Sequence, residues 1–288
     1  MAEIRLAKKI VYVTGLPRSG STLMCQLLGH HPKVYSPQHS SPLAQTLGKI
    51  RHNLSDDPFF LAQLDPDFDL VYKRLINAYR GFVNGWFAEA KEKVVVDKNR
   101  GWLRQIETVD VLDPSFQMVV CVRELSQVYG SVEAQHRRTV LIDFPDHMKS
   151  QSPFQRADKL FGDEGLIGAP LKSIEYSQDL EERFRERICY VSFESLVTNP
   201  VGTMNHLCQW LGVSKYHFDP NKLDTPPHES DSYYRYKFRH KTHTAVRPPQ
   251  PHTISPRIKT EIMNKFRWYY EQFYPERLKD TPKGDLSS

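Results

Sequence analysis

Residues 10–24 read Ile10-Val11-Tyr12-Val13-Thr14-Gly15-Leu16-Pro17-Arg18-Ser19-Gly20-Ser21-Thr22-Leu23-Met24. The first five form a short β-branched run, the pattern of a strand buried on both faces of a parallel sheet. Gly15 to Gly20 then reads as a turn, and Ser21 to Leu28 as a helix. A glycine-containing turn between a buried strand and a helix start is the setting of a phosphate-binding loop. Backbone N–H groups at a helix start have no intrahelical partner, and the helix dipole favours negative charge there. Glycine lets the backbone approach an anion closely. The nucleotide-hydrolase pattern G-x-x-x-x-G-K-[ST] demands a lysine where this chain has Ser21, and the loop's base is instead Arg18. The loop therefore reads as one that holds a charged oxyanion shorter than a triphosphate.

Further strands are predicted at Val94–Val96, Phe116–Val122 and Ile188–Val191, separated by helical patterns over 66–90, 101–112, 125–138, 173–186 and 200–211. Such alternation implies βαβ units and an α/β fold, with a central parallel sheet covered by helices on both faces. Residues 139–172 carry several prolines and glycines and read as an insertion or lid. Residues 219–256 read as a long functional loop, and a helix over 255–273 closes the chain. No internal repeat is present, and a single domain over 1–288 is the simplest account.

The chain has 288 residues, 39% of them hydrophobic and 25% charged, which suits a folded domain with a sizeable core. A formal charge of +5 fits a protein that handles anions and is too small to argue for nucleic acid. The four cysteines form no C-x-x-C pair, and no Cys/His spacing resembles a zinc site, so no metal is expected. Cysteines in apolar runs read as buried thiols and favour a reducing, cytoplasmic setting. The N-terminus lacks the apolar stretch of a signal peptide, and no run approaches the roughly eighteen apolar residues of a membrane span.

A second motif follows the third predicted strand: Arg123 at the strand end, then Ser131 eight residues on. In an open parallel sheet, ligands bind beyond the carboxyl ends of the strands, and eight residues are about two helical turns. Both side chains then reach one crevice. Alternatively, Arg123 pairs with Glu124 or Glu133 and Ser131 lies on a solvated face.

The string LPRSGSTLM resembles the 5′-phosphosulfate loop of the sulfotransferases that use 3′-phosphoadenosine 5′-phosphosulfate (PAPS), a family whose fold is related to the P-loop kinases. The resemblance implies a three-layer P-loop kinase-like fold. It also implies that Pro17, Arg18, Ser19, Gly20, Ser21 and Thr22 hold the 5′-phosphosulfate. In that family an Arg and a Ser at the spacing of Arg123 and Ser131 bind the 3′-phosphate. The segment Val191–Pro200 is similar to the family's V-x-Y-E-D-L-x-x-x-P, with Phe193 in place of the tyrosine that contacts adenine. An aromatic core plug is the other reading of Phe193.

The run from His31 to Ser40 resembles the H-P-x-V-x-x-G-E-E-T pattern of the tyrosylprotein sulfotransferase branch, whose base is a glutamate. That position is His39 here, and a neutral imidazole accepts a proton near pH 7. His243 and His252 are rival bases, and Gln38 could only orient substrate. Asp97-Lys98-Asn99-Arg100 resembles the branch's N-K-D-P segment, which implies that Lys98 stabilises charge in the transition state. A lysine paired with Asp97 is the alternative. Late basic residues, Arg239 and Lys241, fall where the family places a loop over the 3′-phosphate. The resemblance implies an enzyme that moves a sulfuryl group from PAPS to an acceptor hydroxyl, leaving 3′-phosphoadenosine 5′-phosphate (PAP). Two other readings stand beside it: a nucleotide-dependent P-loop kinase using Asp97 on Mg²⁺, and a non-catalytic binding module that keeps the fold.

Overall fold

A computed structural model describes residues 3–139, 150–225, 243–249 and 251–279. Its centre is a parallel sheet of β1 (Lys9–Gly15), β2 (Val34–Tyr35), β3 (Val94–Lys98), β4 (Gln117–Val122) and β5 (Ile188–Ser192), in the spatial order β2-β3-β1-β4-β5. β1 is central, with Val13 beside Lys98 of β3 and Gly15 beside Cys121 of β4. β2 spans two residues, too short for any periodicity to show in sequence.

Side chains alternate across the sheet, as strand geometry requires. Ile10, Tyr12, Val95, Met118, Val120 and Val122 enter one apolar layer. Val11, Val13, Val94, Val96, Val119 and Cys121 enter the other. The second layer packs under α1 (Ser21–Gly29), α10 (Phe193–Thr198) and α11 (Pro200–Trp210). The first is covered by α2 (Leu43–Ser55), α4 (Phe68–Trp86), α5 (Ile106–Leu112), α6 (Leu125–Thr139) and the helices described next. A short α3 (Pro58–Leu64) precedes α4.

Several predicted elements differ in detail. The helix expected over 101–112 opens as a 3-10 turn at Leu103–Gln105 before α5. The helix expected over 173–186 is α8 (Gly168–Gln178) and α9 (Glu182–Arg185). The closing helix breaks at Phe266 into α12 (Pro256–Lys265) and α13 (Arg267–Phe273), followed by α14 (Glu276–Lys279). Residues 150–172, read as part of an insertion or lid, hold α7 (Pro153–Phe161), closed at its start by a Ser152/Gln155 capping box. Its Leu160 and Phe161 are buried with Ile167 and Leu171 in the main core. The apolar face of this part thus packs on α6 and the C-terminal helices. Among the described residues no helix is long and apolar enough to cross a membrane.

Candidate active site

Four strands deliver residues to one edge of the sheet. β1 ends in the loop Gly15–Gly20, β3 ends in Lys98, β4 runs into Arg123, and β5 runs into Phe193. The loop is tied down before α1 begins. The Leu16 N–H donates to the Cys121 carbonyl at 3.1 Å, and the Ser19 hydroxyl donates back to the Leu16 carbonyl at 2.6 Å. Gly15 has φ +126°, and a Cβ there would lie 2.1 Å from the Cys121 carbonyl oxygen, so glycine is required. Gly20 has φ +87° and lies under the Phe193 ring, 2.6 Å from where its Cβ would be.

Arg18 and Ser131, separated by more than a hundred residues of chain, are in contact: the Arg18 Nε–H donates to the Ser131 hydroxyl at 3.0 Å. Ser131 is 7% exposed, so it does not lie on a solvated face. Arg123 donates from Nη1 to the Arg18 carbonyl at 2.9 Å, and its guanidinium carbon stands 4.3 Å over the Phe193 ring. The acids that might have neutralised Arg123 have other tasks. Glu124 accepts the Ser126 and Gln127 N–H groups at the start of α6, together with the Ser126 and Tyr270 hydroxyls. Glu133 is bound by Arg156 of α7 and by Arg137. Arg123 is 5% exposed, and its Nε has no hydrogen-bond partner among the described residues. Burial pulls this guanidinium below its ordinary pKa, while the nearby Glu194 carboxylate opposes that. A buried cation with an unpaired donor is the complement of an incoming anion.

On the other side of the loop, the Lys98 ammonium donates to the Thr22 hydroxyl at 3.2 Å and to the Gln38 carbonyl at 3.1 Å. Asp97 is not its partner. Strand alternation turns Asp97 into the opposite layer, where it is fully buried and accepts the Trp102 indole N–H at 2.6 Å. Burial raises its carboxyl to about 6, against the lowering pull of Ser41 and Trp102. Asp97 therefore does not face the crevice, where a kinase would need a Mg²⁺ ligand.

His39 is half-buried on the segment between β2 and α2, next to Ser40, which bridges Lys98. His252 packs elsewhere, against Gly130 of α6, with its backbone N–H donating to Gln127 at 2.8 Å. The His243 carbonyl accepts from Gln26 at 3.4 Å. Arg239 and Lys241 lie outside the described residues. One contributor escaped sequence reading. Tyr269 of α13 accepts the Arg123 N–H at 3.2 Å and donates to the Arg123 carbonyl at 3.0 Å. Tyr274 donates to Glu194 at 2.7 Å. The only hint was the run of aromatics from Phe266 to Tyr274.

A family model described as the sulfotransferase family matches residues 11–217, which contain Arg18, Thr22, Gln38, His39, Lys98, Arg123, Ser131 and Phe193. The chain belongs to the sulfotransferase family. As a PAPS-dependent sulfotransferase, it transfers a sulfuryl group to an acceptor hydroxyl and releases PAP. The kinase and binding-module readings are not favoured. No curated protein matches the chain in sequence. Among solved structures it is similar to a sulfotransferase from Alicyclobacillus acidocaldarius, at 14% identity and TM-score 0.54, covering 92% of this chain and 94% of that one. It is also matched to a sulfotransferase domain from the curacin biosynthetic pathway, at 16% identity and TM-score 0.48 over 91% and 98% of the two chains. A third match is a retinol dehydratase solved with androsterone and PAP, at 15% identity and TM-score 0.43 over 100% and 85%. The first likeness is one of fold, and the other two are too loose to bear on this sulfotransferase. The residues fit PAPS: a buried guanidinium at Arg123 whose Nε has no partner among the described residues, and a loop whose backbone only glycine can form at Gly15, both suit a bound anion.

Proposed function

We propose that the loop Pro17–Thr22 holds the 5′-phosphosulfate of PAPS and that Arg123 with Ser131 holds its 3′-phosphate. Phe193 supplies an aromatic face for the adenine, Lys98 contacts the sulfuryl or bridging oxygen, and His39 is the base. Arg239 and Lys241 would add charge over the 3′-phosphate. The observation that carries this reading is the Arg123 side chain, buried beside the loop, with Glu124 and Glu133 bound to other partners and its Nε without a hydrogen-bond partner among the described residues.

PAPS brings a sulfuryl group on a good leaving group, so the chain's task is positioning and charge stabilisation. His39 takes the acceptor's hydroxyl proton as the acceptor oxygen bonds to sulfur. The bond between sulfur and the oxygen of the 5′-phosphate breaks, and its electron pair leaves on that oxygen. Lys98 and Arg18 offset the negative charge that gathers there, and the helix start at Ser21 adds its dipole. The acceptor would lie against the 40–90 and 139–172 segments, and a chain in which none of the four cysteines forms a disulfide suits a reducing, cytoplasmic setting.

Calorimetric titration with PAP, and with ATP plus Mg²⁺ in parallel, tests the donor site. Tight binding of PAP and weak binding of ATP is expected, with Arg123→Ala weakening PAP by about ten- to a hundredfold, the worth of hydrogen bonds to a charged group. Equal binding of ATP and PAP, or an Arg123→Ala variant with parental affinity, would overturn it.

A further inference from the structure

We propose that Gln38 is a positioning residue for Lys98 and acts through its backbone rather than its side chain. This rests on the role given above to Lys98. Among the described residues, two non-glycine residues have positive φ: Arg18 at 61° and Gln38 at 63°. An L residue avoids this region, and such strain persists only where the surroundings enforce it, most often at functional sites. Both residues border the same crevice. Arg18 lies in the loop that leads to Thr22, and the Thr22 hydroxyl accepts from the Lys98 ammonium at 3.2 Å. Gln38 offers its own carbonyl to that ammonium from the other side, at 3.1 Å.

The residues that follow hold the lysine's main chain. Ser40 bridges Lys98 as a strand partner, and the Ser41 N–H donates to the Lys98 carbonyl at 2.9 Å. Segment 38–41 thus holds Lys98 at both its backbone and its ammonium. The peptide unit is planar, so the direction of the Gln38 carbonyl is set by the dihedrals around it. A right-handed or extended residue 38, with 40 and 41 fixed in register, would turn that carbonyl away from the ammonium.

The side chain of Gln38 does not take part. Its Nε2 lies 3.3 Å from where a Cβ on Gly29 would be, at the C-terminal end of α1, and its Oε1 is buried without a hydrogen-bond partner among the described residues. The amide is packed behind the site, and the backbone carries the function. Lys98 is held between a donor-side hydroxyl and an acceptor-side carbonyl, and a misplacement of about 1 Å at such a group costs on the order of a hundredfold in rate.

The test is PAPS turnover, with water and 4-nitrophenol as acceptors, on Gln38→Gly, Gln38→Val, Lys98→Ala and the Lys98→Ala/Gln38→Val pair. Glycine adopts positive φ without strain and a β-branched residue does not. Gln38→Gly is expected within about threefold of parental kcat. Gln38→Val should lose about ten- to a hundredfold in kcat with its Kd for PAP within about twofold of the parent. In the double variant the valine should add no further loss, since the lysine it misplaces is gone. Should Gln38→Val fail to fold, Gln38→Ala takes its place, and it must be slower than Gln38→Gly. Parental turnover in the valine or alanine variant, an equal loss in the glycine variant, or additive losses in the pair would each overturn the role of Gln38. Parental turnover in Lys98→Ala would instead overturn the assignment of Lys98, and this inference with it.

Discussion

Arg123 is a buried cation whose acidic neighbours are otherwise engaged. Glu124 spends its oxygens on the start of α6 and on Tyr270, and Glu133 spends its own on Arg156. Had either paired with Arg123, an incoming phosphate would have had to break a buried ion pair before binding. Asp97 makes a different statement about burial. Its carboxyl is pushed from 3.8 to about 6, so the folded protein keeps this proton over a pH range in which the unfolded chain has lost it. Stability from this group is fully present below about pH 4, falls as pH rises through about 6, and the loss amounts to about 3 kcal/mol. Asp97→Asn, which still offers an oxygen to the Trp102 indole, should remove that fall. Thermal melts of both proteins between pH 4 and 7 check it: the variant should gain on the parent as pH rises. A constant difference across that range would mean that Asp97 ionises freely in the fold.

Helix α13 lies beyond residue 217, where the family match ends, yet it holds Arg123 in place. The Tyr269 hydroxyl brackets both backbone polar groups of Arg123, and the ring is fully buried. Tyr269→Phe keeps the packing and removes the bracket. The expected outcome is a Kd for PAP raised about three- to tenfold, the worth of one or two neutral hydrogen bonds, with a smaller effect on kcat once PAPS saturates. Tyr270→Phe, which unties Glu124 rather than Arg123, is the comparator and should shift PAP affinity less. Equal affinities in parent and Tyr269→Phe would reduce α13 to a core helix. The break at Phe266 between α12 and α13 serves this placement, since a continuous helix would carry Tyr269 along a different line.

The proposed donor site gathers residues from the ends of four strands and from a C-terminal helix, so ligand and fold would be linked over the whole domain. A ligand that binds only the folded state stabilises it by about 2.7 kcal/mol at a hundredfold excess over Kd. PAP should therefore raise the melting temperature by several degrees, and adenosine, which lacks both phosphates, should not; similar shifts from the two would place the binding outside the anion site. Much of this was legible in the chain, for physical reasons. β1, β3, β4 and β5 announced themselves because each carries a short apolar, largely β-branched run, Ile10–Val13, Val94–Val96, Met118–Val122 and Ile188–Val191, that packs into the layers on either side of the sheet. The loop announced itself because Gly15 and Gly20 punctuate the turn between a buried strand and a helix start, and both take a positive φ in the structure. The sequence by itself thus determined the layered α/β fold and the sulfotransferase chemistry, and it singled out Arg18, Lys98, Arg123 and Ser131 as candidates, which the fold brings to one edge of the sheet. Only the tertiary structure decided that Glu124 and Glu133 bind partners other than Arg123, which layer Asp97 enters, that the apolar face of α7 joins the core, that Tyr269 brackets the Arg123 backbone and that the Gln38 carbonyl accepts from Lys98. The last two of those outcomes depend on contacts between residues far apart in the chain, 146 positions for Tyr269 with Arg123 and 60 for Lys98 with Gln38. Local pattern carries no information about such pairs, because it is set by neighbours within a few residues, whereas these contacts form only when the layers close on one another.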